Sequence, residues 1–239
     1  MELYCRPGSC PMEVGSLIAI VTGGAILTVR RGLHPRSQIF GPAMIRGPGV
    51  GKVFLTFDDG PAPGLTDRYL KVLADAHAKA TFFMIGERVR KAPGLAREVA
   101  SEGHIIGNHS HTHRRLYRIR YRDVSEDLTR AHEAIRESTG KVPTLFRAPY
   151  GHRTPAIHRA ARELGYTTVA WSLDPKDWRD TDHDLLLRRV LNRVRGGAIV
   201  LLHDGAATGS MHTLAVMPKL FDGIAEAGLE CVGIHDVIG

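Results

Sequence analysis

From Lys52 onward the chain alternates short β-favouring runs with longer amphipathic stretches, and nothing else in it constrains the fold as strongly. The β-like runs fall at 53–57, 80–85, 104–107, 144–147, 167–171, 198–202 and 230–233. Between them, 66–77, 94–101, 123–138, 155–164, 182–194 and 211–227 carry apolar residues at helical spacing, as Tyr69, Leu70, Val72 and Leu73 illustrate. Alternating strand and helix imply a parallel sheet, either closed as a barrel or open and doubly wound. With 239 residues, 43% of them hydrophobic and 24% charged, the chain is long and apolar enough to bury such a core, and disorder is not expected.

The first fifty residues differ. An apolar stretch at 14–29 precedes Arg30-Arg31 and is short for a membrane span. It lacks the basic region that a secretory signal carries ahead of its apolar core. Three readings stand for it: a membrane anchor, the remnant of a longer signal, or an apolar segment packed on the domain. The anchor is preferred, although the positive charges behind it fit an ordinary tether poorly. Residues 34–51, rich in Gly and Pro, read as a linker. The expected division is therefore 1–51 as segment and linker, and 52–239 as the folded domain. Localisation stays open between the cell envelope, which is favoured, and the cytoplasm.

The net charge of +7 raises the question of nucleic acid, but the basic residues are scattered and no aromatic-interleaved basic stripe occurs. No nucleic-acid partner is expected; a basic surface suits an anionic polymer or membrane equally well. The three cysteines are too few for a disulfide scaffold. Cys5 and Cys10 are close enough in sequence to pair, and Cys231 reads as a small core residue. Without Cys-rich metal spacing, any metal must be held by His and carboxylate.

In α/β barrels and open α/β sheets alike, chemistry collects at the C-terminal strand ends. Those ends carry Asp58-Asp59, then Asn108-His109-Ser110-His111-Thr112-His113, then Arg147-Ala148-Pro149-Tyr150, then the stretch Trp171 to Trp178 with Asp174 and Asp177, and finally Leu201-Leu202-His203-Asp204. Adjacent carboxylates repel unless a cation, a donor or a shared proton compensates. His109 and His113, four apart, share one face if they lie on a helical turn, a spacing suited to two ligands of one metal. His111 then points elsewhere. Two His and one Asp make an incomplete coordination set with room for water and substrate, suited to zinc and tolerable to cobalt, nickel or ferrous iron. The second aspartate is free to act as a base. Arg147 is placed to pair with it, unless it makes only an ordinary salt bridge. His203, ending a very apolar strand, is suited to donating a proton, with Asp177 or Asp174 to orient it.

These residues resemble the polysaccharide deacetylases of the NodB-homology type, carbohydrate esterase family four, over roughly Lys52 to the C-terminus. All five family motifs appear in order: Thr56-Phe57-Asp58-Asp59-Gly60-Pro61, His109-Ser110-His111-Thr112-His113, Arg147-Ala148-Pro149-Tyr150, Asp174-Pro175-Lys176-Asp177-Trp178 and Leu201-Leu202-His203. The resemblance implies a distorted (β/α) barrel of about seven parallel strands, related to the TIM barrel. It implies Asp58 as general base, Asp59, His109 and His113 as ligands of a divalent metal (Zn2+, or Co2+ or Ni2+), and His203 as general acid. It gives His203 the partner Asp177, with Asp174 as fallback, and has Arg147 steady Asp58. The Tyr150 backbone N–H would stabilise the oxyanion, and Trp178 and Leu201 would line an acetyl pocket. The implied substrate is an acetylated polysaccharide or oligosaccharide such as chitin oligomers, peptidoglycan or an exopolysaccharide, and the protein is expected to act as a monomer.

Three rivals are weighed. Hydrolysis of another C–N bond on the same barrel is disfavoured by the intact ligand set. A ferrous oxygenase would have no use for His203. A non-catalytic sugar-binding module needs neither a base nor an acid.

Overall fold

The computed structural model describes residues 34–205 and 209–234. The apolar stretch 14–29 and the cysteines Cys5 and Cys10 lie outside these residues. Among the described residues no helix is long and apolar enough to cross a membrane.

Seven strands form one parallel sheet: β1 (Lys52–Asp58), β2 (Thr81–Met84), β3 (Ile105–Asn108), β4 (Leu145–Phe146), β5 (Thr167–Thr168), β6 (Ile199–His203) and β7 (Glu230–Cys231). The spatial order is β5-β4-β3-β2-β1-β6, with β7 also paired to β1. The helices are α1 (Thr66–Asp75), α2 (Gly86–Lys91), α3 (Pro93–Ser101), α4 (Tyr121–Thr139), α5 (Pro155–Glu163), α6 (His183–Leu191) and α7 (Ser210–Glu226). Each expected strand is present, and the sheet curls into the expected distorted barrel. The expected helices are present too, and α2 is an addition.

Period-two alternation divides the strands between two environments. Val53, Leu55 and Phe57 of β1, with Val200 and Leu202 of β6, join the cluster under the helices. Phe54 of β1 and Ile199 and Leu201 of β6 belong to a second cluster inside the curl. Each fully buried Leu or Phe contributes about 1.5–3 kcal/mol. Asp58 and His203 continue the inward series at the strand tips, so the pattern that builds the core also aims the two ionisable side chains. A third cluster, including Val124, Leu128, Ile157 and Tyr166, seats α4 and α5 beside β4.

The helices start and stop where local chemistry dictates. Thr154 and Asp182 cap α5 and α6 by accepting from Ile157 N and Leu185 N at 3.3 and 2.9 Å. Gly140, at φ 70°, ends α4 in the left-handed conformation that glycine adopts without strain.

Residues 34–51, expected as a linker, are packed on the barrel. Met44 bridges Val169 in parallel and Arg46 bridges Ala198 in antiparallel fashion, so this segment spans the seam between β5 and β6. Met44 donates to Thr168 O at 2.9 Å, and Ala170 N donates back to Met44 O at 2.8 Å. Backbone pairing, invisible in a Gly- and Pro-rich composition, fixes a stretch that has little apolar pattern.

Candidate active site

The tips of β1, β3, β4 and β6 open on one cleft of about 730 Å³, whose walls include Asp58, Asp59, His109, His113, Tyr150, Trp178, Leu201 and His203. Arg147 and Asp177 are fully buried behind it.

Asp59 Oδ1 lies 3.5 Å from His109 Nε2 and 3.1 Å from His113 Nε2, and one ligand atom from each residue falls within 4.8 Å of the other two. His109 Nδ1 sits 2.8 Å from the Arg147 carbonyl, which can only accept, so Nδ1 carries the hydrogen and Nε2 presents a lone pair. Asp59 Oδ1 is buried with no hydrogen-bond partner. Three electron-pair donors thus converge on one point, an arrangement that fits a divalent cation and is otherwise repulsive. Burial pushes His113 down to about 4, leaving it a neutral ligand at neutral pH.

The two histidines do not share a helical turn. Ser110 and His113 have φ of 67° and 53°, and the stretch is a loop. The loop is built by residues whose part cannot be read from motif spacing. Asn108 Oδ1 accepts from Ser110 N at 2.7 Å, and Asp127 of α4 accepts from His111 N and Thr112 Oγ1 at 2.7 and 2.6 Å. Gly86 N and Glu87 N, at the start of α2, donate to the carbonyls of Ser110 and His111 at 3.0 Å. His111 is buried away from the donor set, as expected.

Asp58 stands beside this set. Its Oδ1 accepts from Arg147 Nη1 at 2.7 Å, and its Oδ2 lies 3.6 Å from His109 Nε2. Arg147 is no surface salt bridge. Its guanidinium also donates to Thr56 Oγ1 at 2.8 Å and Ala170 O at 3.0 Å, and its Cζ lies 4.1 Å over the Phe83 ring. At the neighbouring tip of β6, Asp177 accepts from His203 twice, from the ring at Nδ1 and from the backbone N, both at 2.8 Å. Asp174 instead accepts from Lys176, so Asp177 is the residue that orients His203. Burial opposes the imidazolium, but the hydrogen bond and charge of Asp177 overcome it and raise His203 to about 9.

Tyr150 and Trp178 expose half and nearly half of their surface at the cleft. Tyr150 also has φ 59°, and its ring centroid is 4.9 Å from that of His113. Among the described residues, Asp59, Ser110, His113, Tyr150 and Lys176 make up all but one of the non-glycine residues in the left-handed region. Such strain gathers where a site over-determines its backbone.

One buried acid was not singled out from the sequence. Asp204 lies beneath the turn after Asp59 and accepts from Thr66 Oγ1 at 2.6 Å, while Thr66 Oγ1 accepts from Ala62 N at 2.8 Å. A Cβ on Gly60 would come within 2.2 Å of its carboxylate, so the turn rests directly on it. Burial raises Asp204 to about 7.

The strand tips of this parallel α/β barrel thus bring a carboxylate, an imidazole and a three-donor set that fits a cation to one cleft, the end of such folds where chemistry collects. The family model for polysaccharide deacetylase matches residues 46–169. A peptidoglycan-N-acetylglucosamine deacetylase of Bacillus cereus is 37% identical over 78% of this chain and 87% of its own length. A chitooligosaccharide deacetylase of a Bradyrhizobium species is 41% identical over 67% of this chain and 74% of its own. The solved structure of the peptidoglycan N-acetylglucosamine deacetylase Bc1960, in complex with 4-naphthalen-1-yl-N-oxidanyl-benzamide, superposes with a TM-score of 0.76 at 29% identity, covering 81% of this chain and 91% of that one. The chain belongs to the polysaccharide deacetylase family.

Proposed function

We propose that the protein removes N-acetyl groups from a polymer containing N-acetylglucosamine, of the chitooligosaccharide or peptidoglycan class, by cation-assisted hydrolysis. The observation that carries this reading is the presence of two charge-partnered groups, Asp58 with Arg147 and His203 with Asp177, in one cleft with the donor set of Asp59, His109 and His113. A binding module would need neither pair. The names of the relatives supply the substrate class.

A divalent cation held by Asp59, His109 and His113, zinc by donor preference with cobalt or nickel as substitutes, would supply Lewis acidity toward the amide oxygen and a more acidic water. Asp58, with Oδ1 held by Arg147, accepts the proton of the attacking water through Oδ2. The water oxygen bonds to the acetyl carbon, the carbonyl electron pair moves onto oxygen, and the Tyr150 backbone N–H donates to that oxygen. Asp177 holds Nδ1 of His203, so Nε2 delivers the proton to the sugar nitrogen as the C–N bond breaks. Acetate and a free amine leave. Trp178 and Leu201 wall the acetyl group, and the exposed faces of Tyr150 and Trp178 are suited to sugar rings. Acetate release from chitin oligomers and peptidoglycan, with and without chelator and added zinc or cobalt, tests the reading. No release from any of these polymers would refute it.

A further inference from the structure

The cleft does not end at the reacting centre. It runs along the seam of the barrel, past Trp171 and Leu173, from His203 at the end of β6 to Ala198 just before its start. Five residues of strand span about 16 Å. Along that length the lining changes sign. Asp58 and Asp59 mark one end, whereas Arg36, Arg46 and Arg193 line the other parts of the same cleft. The remaining acid of the lining, Asp174, is already held by Lys176.

We propose that Arg36, Arg46 and Arg193 form a binding site for a carboxylate carried by the glycan, so that the polymer this protein takes is an anionic one. This rests on the deacetylase reading and narrows its substrate class.

Among the described residues none of the three arginines forms an ion pair, so no carboxylate there neutralises them. Two of them are oriented by backbone. Arg36 donates to the carbonyls of Trp171 and Ser172, and Arg46 donates to Gly196 O at 2.9 Å. Arg46 is fixed further by its bridge to Ala198. These contacts use only part of the five donors on each guanidinium, and the rest are available to a ligand. A fork already held in place loses little freedom on binding and matches a carboxylate bidentately. Like charges sharing one cleft repel one another, and an anion between them relieves that repulsion. A neutral glycan offers three cations hydrogen-bond acceptors but no counter-charge. A polymer with acidic groups along its length offers both, and the net charge of +7 favours its approach.

Co-sedimentation of the full chain with insoluble polymers tests this, with acetate measured in the same tubes. The polymers are peptidoglycan sacculi with free peptide carboxylates, the same sacculi with those carboxylates amidated, and chitin. The site predicts that amidation weakens binding at least about tenfold, the scale of one charge-assisted hydrogen bond. Arg193→Gln, at an exposed side chain, and Arg46→Gln should each weaken binding to native sacculi while leaving chitin binding within about twofold. Raising the salt concentration should erode the preference for native sacculi. Unchanged sacculus binding after amidation and after both substitutions would overturn the proposal. The expected binding pattern without acetate release from any polymer would uphold the arginine site and refute the deacetylase reading instead.

Discussion

Asp58 and His203 are register partners across the parallel pair of β1 and β6. Neighbouring strands stand about 4.8 Å apart, and register partners project to the same side of a sheet. The two ionisable groups are therefore set at adjacent strand tips by the hydrogen-bond ladder itself. Each is then held by a partner from elsewhere, Asp58 by Arg147 after β4 and His203 by Asp177 after β5. The two partners differ in sign, a guanidinium against Asp58 and a carboxylate against His203, and the second of these keeps the imidazole protonated.

Asp58→Asn removes the proton acceptor while keeping the shape of the side chain and leaving Asp59, His109 and His113 untouched. Acetate release should fall by about 10²- to 10⁴-fold with bound metal unchanged by elemental analysis. Activity within about tenfold of wild type would rule Asp58 out as the base.

Asp177→Asn removes the charge that raises His203, and burial then pushes the imidazole down. In the wild type the basic limb of kcat/KM should fall at or below about 9, since a cation nearby lowers the His203 value further. In the variant this limb should move toward or below the ordinary histidine value of about 6.5. The stability linkage has the same sign. The His203–Asp177 pair contributes fully below about pH 6.5, and its contribution is lost as pH rises through about 9. A basic limb that stays in place in the variant would separate His203 from the proton donor.

Arg147→Met leaves Asp58 buried beside Phe83 with no counter-charge. Breaking a buried pair of this kind costs about 3–5 kcal/mol, and thermal unfolding should show the loss. A melting temperature close to wild type would mean that the pair is worth no more than one at the surface.

Asp204→Ala leaves the Thr66 hydroxyl without its acceptor and opens space under the Asp59–Gly60 turn. A loss of about 1–3 kcal/mol in stability is expected. Metal affinity should fall too, because the turn that sets Asp59 loses its support. Unchanged metal affinity would confine Asp204 to a structural role.

Much of this was legible because strand tips are short and their chemistry is concentrated. Asp58, Asp59, Arg147 and His203 follow apolar runs directly, and alternation fixes which way the tip residues face. The His109/His113 pair was found by a spacing argument whose geometry was wrong. The rings converge through a left-handed loop braced by Asn108 and Asp127, which four-residue spacing on a helix does not describe. Helix α2 escaped notice because the six residues of Gly86–Lys91 hold a single large apolar side chain, Val89, and no capping side chain. The packing of 34–51 depends on backbone hydrogen bonds to Thr168 and Gly197, which leave no trace in side-chain pattern. Asp204 sat in plain view after His203, but only burial under Gly60 distinguishes it from an ordinary turn acid.

On the proposed reading Asp59, His109 and His113 hold a cation without which the Asp58–His203 pair cannot work. The direct measurement is acetate release from an N-acetylglucosamine polymer by the metal-stripped protein, before and after adding back zinc or cobalt, with His109→Ala alongside. The account predicts that stripping abolishes release, that the metal restores it in the wild type, and that His109→Ala neither binds the metal nor recovers. Undiminished acetate release from the stripped protein, or an active His109→Ala free of metal, would contradict it.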